Sequence, residues 1–130
     1  MNMDYSLKII RNGAERVFVR RGVADLFDLL VNEPDALRGA SVVDKAVGKA
    51  AASLMVLGGV KDVSTPRIST PALKVLKAAN IKVEYGEEVA LILNRTMTDS
   101  CPLERRCTVS DKPEELLPVI SDFIQEMKLK

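Results

Sequence analysis

Four short stretches carry residues whose types and spacing could do chemistry. Cys101 precedes Pro102-Leu103-Glu104-Arg105-Arg106. A thiol at the first turn of a helix, beside two guanidinium groups, has two of the features that favour thiolate without an imidazole partner. Cys101 is therefore a candidate nucleophile, redox thiol or ligand contact, although cysteine serves as readily as a small apolar filler. Asn94-Arg95-Thr96, followed by Thr98 and Ser100, offers a cation with amide and hydroxyl donors. That is the composition of a phosphate or carboxylate contact, and also of a solvated surface loop. Asp44-Lys45 and Ser69-Thr70-Pro71 each open an expected helix, where free backbone N–H groups and the helix dipole favour an anion. Lys45 and Lys49 stand four apart and would share one helical face, with Asp44 as a plain N-cap. Glu104 follows Cys101 at capping-box distance.

The absences are equally informative. There is no histidine among 130 residues, which removes Ser-His-Asp, Cys-His and His-metal schemes. Two cysteines exclude a four-cysteine zinc site. On a helix starting at Pro102, Cys101 and Cys107 fall on different faces, so a disulfide between them is disfavoured. Gly48-Lys49 lacks both the first loop glycine and the following Ser or Thr of a phosphate-binding loop, so a nucleotide triphosphatase is rejected. Glu87-Glu88 and Glu114-Glu115 read as helix-start charges. A formal charge of +1 and five aromatic residues give neither the field nor the stacking platform of a nucleic-acid binder.

The elements that must position these residues follow from periodicity. Ser6 to Arg11 and Arg16 to Arg20 alternate around Asn12-Gly13, a hairpin signal. Val23, Leu26, Phe27, Leu30 and Val31 make a helical face that ends at Glu33-Pro34. Asp44 to Leu57 is predicted as the most buried helix, closed by Gly58-Gly59 in a left-handed cap, with Gly48 at a close-packing position inside it. Val60 to Ser69 is strand-like but interrupted by Pro66. A helix with Thr70 at its cap and Pro71 at its first position ends at Asn80, and Ile81 to Tyr85 alternates as a half-buried strand. Glu87 to Asn94 is predicted as a short helix. The last helix starts at Asp111 to Glu115 and carries Leu116, Val119, Ile120, Phe123, Ile124 and Met127 as a stripe that should cover a face of the sheet.

These units make one α/β domain over residues 1–130, with helices on both faces of a mixed sheet. An apolar share of 47% and a charged share of 28% suit a soluble globular chain. Met1-Asn2-Met3-Asp4 opens without a secretory pattern, and Ala50 to Val60 is too short to span a bilayer, so the expected location is cytoplasmic, with no membrane partner.

The ordered run from Asp44 to Ala52, then Leu57-Gly58-Gly59-Val60, Ser69 to Leu73, Ile81 to Tyr85, Asn94-Arg95-Thr96 and Cys101 to Glu104 resembles the domain-of-unknown-function family eighteen-ninety-three, grouped with the cytidine deaminase-like fold. The resemblance implies a three-layer α/β/α sandwich around a mixed sheet of about five strands. In zinc-dependent deaminases one helix start supplies a His or Cys ligand with a Glu proton shuttle, and the next supplies Pro-Cys-x-x-Cys. By order along the chain these correspond to the Asp44 helix and to Ser69-Thr70-Pro71-Ala72-Leu73. Neither carries cysteine or histidine, and Cys101-Pro102 lies one strand later.

The expectation is therefore a zinc-free deaminase-like domain without a cofactor. It would bind a small anionic or nucleotide-like molecule through Asp44, Lys45, Lys49, Ser69, Thr70, Asn94, Arg95, Thr96, Cys101 and Glu104. Two alternatives stand beside it: an enzyme using Cys101, helped by Asp44 or Lys45 as a proton-transfer partner, and a non-catalytic assembly or regulatory module, such as a homodimer.

Overall fold

In the computed structural model, residues 5–20, 23–91 and 101–128 are described. The chain opens with β1 (Leu7–Arg11) and β2 (Ala14–Phe18). Asn12 and Gly13 both take positive φ, 54° and 80°, which gives a two-residue turn whose twist matches the strands it joins. Helices α1 (Ala24–Asn32) and α2 (Pro34–Leu37) follow, then β3 (Ser41–Asp44), α3 (Lys49–Gly58), β4 (Asp62–Ser69), α4 (Thr70–Ala78) and β5 (Lys82–Val89). The chain continues with α5 (Pro102–Arg106), a 3₁₀ turn at Cys107–Val109, and α6 (Pro113–Lys128).

The strands lie in the order β2-β1-β3-β4-β5. β1 runs antiparallel to both neighbours, whereas β3, β4 and β5 are mutually parallel and are joined through α3 and α4. A five-stranded mixed sheet and six α-helices among the described residues place the domain in the α/β class, consistent with a three-layer α/β/α sandwich.

The core is built from the alternation of the strands. Leu7 and Ile9 of β1, Val42 of β3 and Val63 of β4 point to one face and are buried, while Lys8, Ile10, Val43 and Ser64 on the other face are half-buried. Against this lies α3, whose residues 49–55 are all buried because it touches α1, α2, α4, α5 and α6. Fully enclosed side chains such as Leu54, Met55 and Leu76 each contribute about 1.5–3 kcal/mol of hydrophobic stabilisation. The predicted left-handed cap is present: Gly59 has φ 75° and donates its N–H to the last turn of α3.

Three sequence expectations need correction. The helix expected from Asp44 begins only at Lys49. Asp44 ends β3, and the following residues bond to the sheet instead: the N–H of Val47 reaches the Arg67 carbonyl and the Ser69 N–H reaches the Val47 carbonyl, both at 3.0 Å. Sheet hydrogen bonds therefore override a sequence of good helix formers. Gly48 is extended and sits at the N-cap, outside the helix interior.

Second, Glu87 to Val89 are strand, extending β5 alongside Arg67 to Ser69, so the short helix expected there is replaced by ladder pairing; residues 92–94 lie outside the described set. Pro66 did not break β4. It is exposed and close to Gly86 of β5, where a Cβ would stand 2.9 Å from the Pro66 carbonyl oxygen. Third, Leu116, Ile120 and Ile124 of the α6 stripe are buried, and this helix packs chiefly on α3, but Met127, expected on the same stripe, is exposed.

Candidate functional site

The parallel strands carry their carboxyl ends to one edge of the sheet, where ligands bind in open α/β folds. β4 ends there at Ser69 and β5 at Val89. Beside them lies a groove of about 780 Å³, a size suited to a small organic molecule. One wall is α4, which contributes Pro71, Lys74, Val75 and Ala78 at successive three- and four-residue steps, so all four stand on one helical face. Ala90 and Leu91 beyond β5 form a second wall. Lys49, Glu104, Arg105, Thr108 and Asp111 close the polar end.

At the polar end the charges are arranged around Glu104. Its carboxylate reaches across from α5 and accepts the backbone N–H groups of Lys49 at 2.5 Å and Ala50 at 3.1 Å. Those are two of the four donors that a helix start leaves unpaired, so α3 is capped by a residue 54 or 55 positions away. Gly48 makes this contact feasible. Its φ of −98° suits any residue, but a Cβ there would meet the Glu104 carboxyl carbon at 2.5 Å. Burial raises the Glu104 pKa, opposed by the two N–H groups and by the Lys49 charge.

Lys49 extends from the same turn to Asp111, with Nζ 2.8 Å from Oδ1; its side chain is 9% exposed and that of Asp111 97%. A buried ammonium thus depends on a carboxylate that faces solvent, which leaves this pair accessible from the groove. The Lys49 hydrogen bond and charge, with a smaller contribution from Lys74, hold Asp111 below the ordinary carboxylate range.

The hydroxyl-bearing residues at the start of α4 are committed to structure as well. The Ser69 hydroxyl accepts from the Ala72 N–H at 3.2 Å, so Ser69 and not Thr70 is the N-cap, and Pro71 is one place later than expected. Thr70 donates to Glu88 Oε2 at 2.8 Å and fastens α4 to β5.

The expected site residues are therefore only partly assembled. Lys49, Ser69, Thr70 and Glu104 line the groove. Asp44 and Lys45 do not: Asp44 ends β3, Lys45 follows it and is exposed, and the expected pairing of Lys45 with Lys49 on one helical face is lost because α3 starts only at Lys49. Asp44 is half-buried and its pKa is raised to about 7 by burial, against the N–H groups of Ala46 and Lys45. Asn94, Arg95 and Thr96 lie outside the described residues, as do Thr98 and Ser100. Sequence reasoning missed Lys74, Thr108 and Asp111 as lining residues, and treated Arg105 only as a neighbour of Cys101. The spacing of Pro71, Lys74, Val75 and Ala78 was the available signal.

Cys101 stands at the start of α5, half-buried against the core and not in the groove lining; Cys107 is fully buried, and both are free thiols. Burial, reinforced by the Glu104 charge, pushes Cys107 up to about 12. Iodoacetamide at about pH 8 is accordingly expected to label Cys101 and spare Cys107 in the folded protein, since thiolate is the reacting form. Peptide mapping that finds both labelled at equal rates would contradict the placement of Cys107.

The donor set does not fit a zinc ion. The start of α3 presents Gly48, Lys49 and Ala50, the start of α4 a capping hydroxyl, and no group of three or more His, Cys, Asp or Glu among the described residues could hold a metal. Nor is any helix among them long and apolar enough to cross a membrane.

The chain is similar to a solved structure described as the crystal structure of a DUF1893 family protein (TM1506) from Thermotoga maritima. The two share 28% identity with a TM-score of 0.84, over 92% of this chain and 80% of that one. No curated protein matches. The family model described as "TM1506: Domain of unknown function (DUF1893)" matches residues 1–124. The chain belongs to the DUF1893 family.

Proposed function

We propose that this domain is a zinc-free variant of the cytidine deaminase-like architecture that binds a small anionic, nucleotide-like molecule in the groove between α4 and α5. One observation carries the reading: Lys49, Lys74 and Arg105 converge on a groove of about 780 Å³ beside the carboxyl ends of the parallel strands β4 and β5. Glu104 sharpens it. A protein carboxylate already takes the Lys49 and Ala50 amides at the start of α3, which favours a ligand held by side chains along α4 and α5.

Cys101 has less in its favour as a nucleophile, because it packs against the core and does not line the groove. Native mass spectrometry of freshly purified protein tests the reading, together with thermal denaturation against nucleoside monophosphates and small organic acids. A small-molecule adduct is expected, or a rise in Tm that is lost in Ala78→Trp, where an exposed wall residue is enlarged to fill the groove. A bare monomer mass with no stabilisation by any compound contradicts it; a dimer mass with no adduct favours the assembly module instead.

A further inference from the structure

Two carboxylates line the polar end of the groove, and they are held very differently. Glu104 is fixed: it accepts two backbone N–H groups, at 2.5 and 3.1 Å, in the room left by Gly48. Asp111 is held by one contact. Its side chain is 97% exposed, and Lys49, with Nζ 2.8 Å from Oδ1, is its hydrogen-bond partner among the described residues.

The segment that carries Asp111, between the 3₁₀ turn at Cys107–Val109 and α6, is fastened by other bonds. Lys112 donates its N–H to the Ser110 hydroxyl at 3.0 Å, that hydroxyl donates to Glu115, and the Glu115 N–H donates to the Lys112 carbonyl at 2.9 Å. The Asp111 side chain can therefore swing away while its turn stays in place. Lys49 is under the opposite constraint. Its side chain is only 9% exposed, and an ammonium so far removed from water is costly to leave without a counter-charge. Asp111 can give up Lys49 only in exchange for another anion. The Lys74 charge, from α4, also acts on the Asp111 carboxylate, so an anion in its place would meet α4 as well.

We propose that Asp111 is an internal occupant of the ligand's place: its carboxylate pairs with Lys49 in the free protein, and the anionic head of the ligand displaces it and takes over the ammonium. The proposal rests on the anion-binding reading and adds the regulation of that site, since a ligand must outcompete a tethered carboxylate.

Adenosine monophosphate and adenosine test the exchange, with dissociation constants for the full chain read from NMR shifts of the Lys74 and Lys112 amides at constant ionic strength. Asp111→Asn keeps the shape of the side chain and removes its charge. It is expected to tighten adenosine monophosphate by roughly fivefold and to leave adenosine unchanged, because only the charged molecule competes for Lys49. In a Lys49→Met background, where an apolar chain replaces the buried stem, the gain from Asp111→Asn is expected to shrink below about twofold. Unchanged or weaker binding of adenosine monophosphate by Asp111→Asn overturns the exchange and leaves anion binding standing. An equal gain for adenosine, or an undiminished gain in the Lys49→Met background, overturns it too, the latter because Asp111 would then only repel the ligand. If adenosine monophosphate shifts no α4 amide in either the parent or Asp111→Asn, both readings fall.

Discussion

Replacing Glu104 with alanine is expected to lower the unfolding free energy by about 3 kcal/mol, among the largest single effects available in this chain. The change leaves the Lys49 and Ala50 N–H groups unpaired at a buried helix start and removes a negative charge near the buried Lys49 ammonium. Glu104→Gln should cost less, because its amide oxygen can still accept one of the two bonds.

Gly48→Ala provides the complementary test. The backbone at this position suits any residue, and the three atoms nearest to an added methyl group are all of the Glu104 carboxylate. Alone, Gly48→Ala is expected to cost about 2 kcal/mol, in the range of overpacking a closed site. In the Glu104→Ala background most of that penalty should vanish, giving strong coupling in a double-mutant cycle of urea denaturation. Additive penalties would mean that Gly48 and Glu104 do not meet.

The second large effect is a dependence on pH. Asp44 has its pKa raised from 3.8 to about 7 by burial. Between those values the unfolded chain has lost the proton and the folded chain retains it. Stability from this group is therefore fully present below about pH 4, falls as pH rises toward 7, and is level above that. Three pH units correspond to a ceiling of about 4 kcal/mol, and solvent access at a half-buried carboxyl reduces the expected change to about 2 kcal/mol. Glu104 is shifted in the same direction, whereas Asp111 and Glu33 are lowered and act with the opposite sign below their ordinary range. Comparison with Asp44→Asn isolates the contribution. Denaturation at about pH 5 and pH 8 should show a smaller loss of stability in the variant than in the parent, and identical losses would remove Asp44 as the cause.

Much of the scaffold is legible in local signals. Asn12-Gly13 specifies its turn, Gly59 its left-handed cap, and Leu116, Ile120 and Ile124 their buried stripe, because each depends on residues within one or two turns of chain. The strand β3 was hidden because Val42-Val43 flow into a run of good helix formers, and only pairing with β1 and β4 holds residues 41–44 extended. The outward extension of β5 was similarly ambiguous in an evenly apolar segment and is decided by β4 alongside it.

The site was harder for the same reason. Cys101 to Glu104 has the spacing of a local cap, yet Glu104 caps a different helix, a contact between residues 55 apart that no window along the chain can show. Ser69 and Thr70 look like donors awaiting an anion, but one hydroxyl caps α4 and the other fastens it to β5. The absent histidine removed the common catalytic and metal schemes. The groove is defined instead by α4 side chains at successive helical steps, with Arg105, Thr108 and Asp111 brought to it by the α5–α6 segment.

An anion is expected to bind along α4, and not at the start of α3. Mapping amide shifts of uniformly ¹⁵N-labelled protein on addition of a nucleoside monophosphate tests that placement directly. The largest changes are expected at Lys74, Val75, Ala78 and Thr108, with the Ala50 amide unmoved because Glu104 already holds it. Changes centred on Lys49 and Ala50, with α4 silent, would contradict the account.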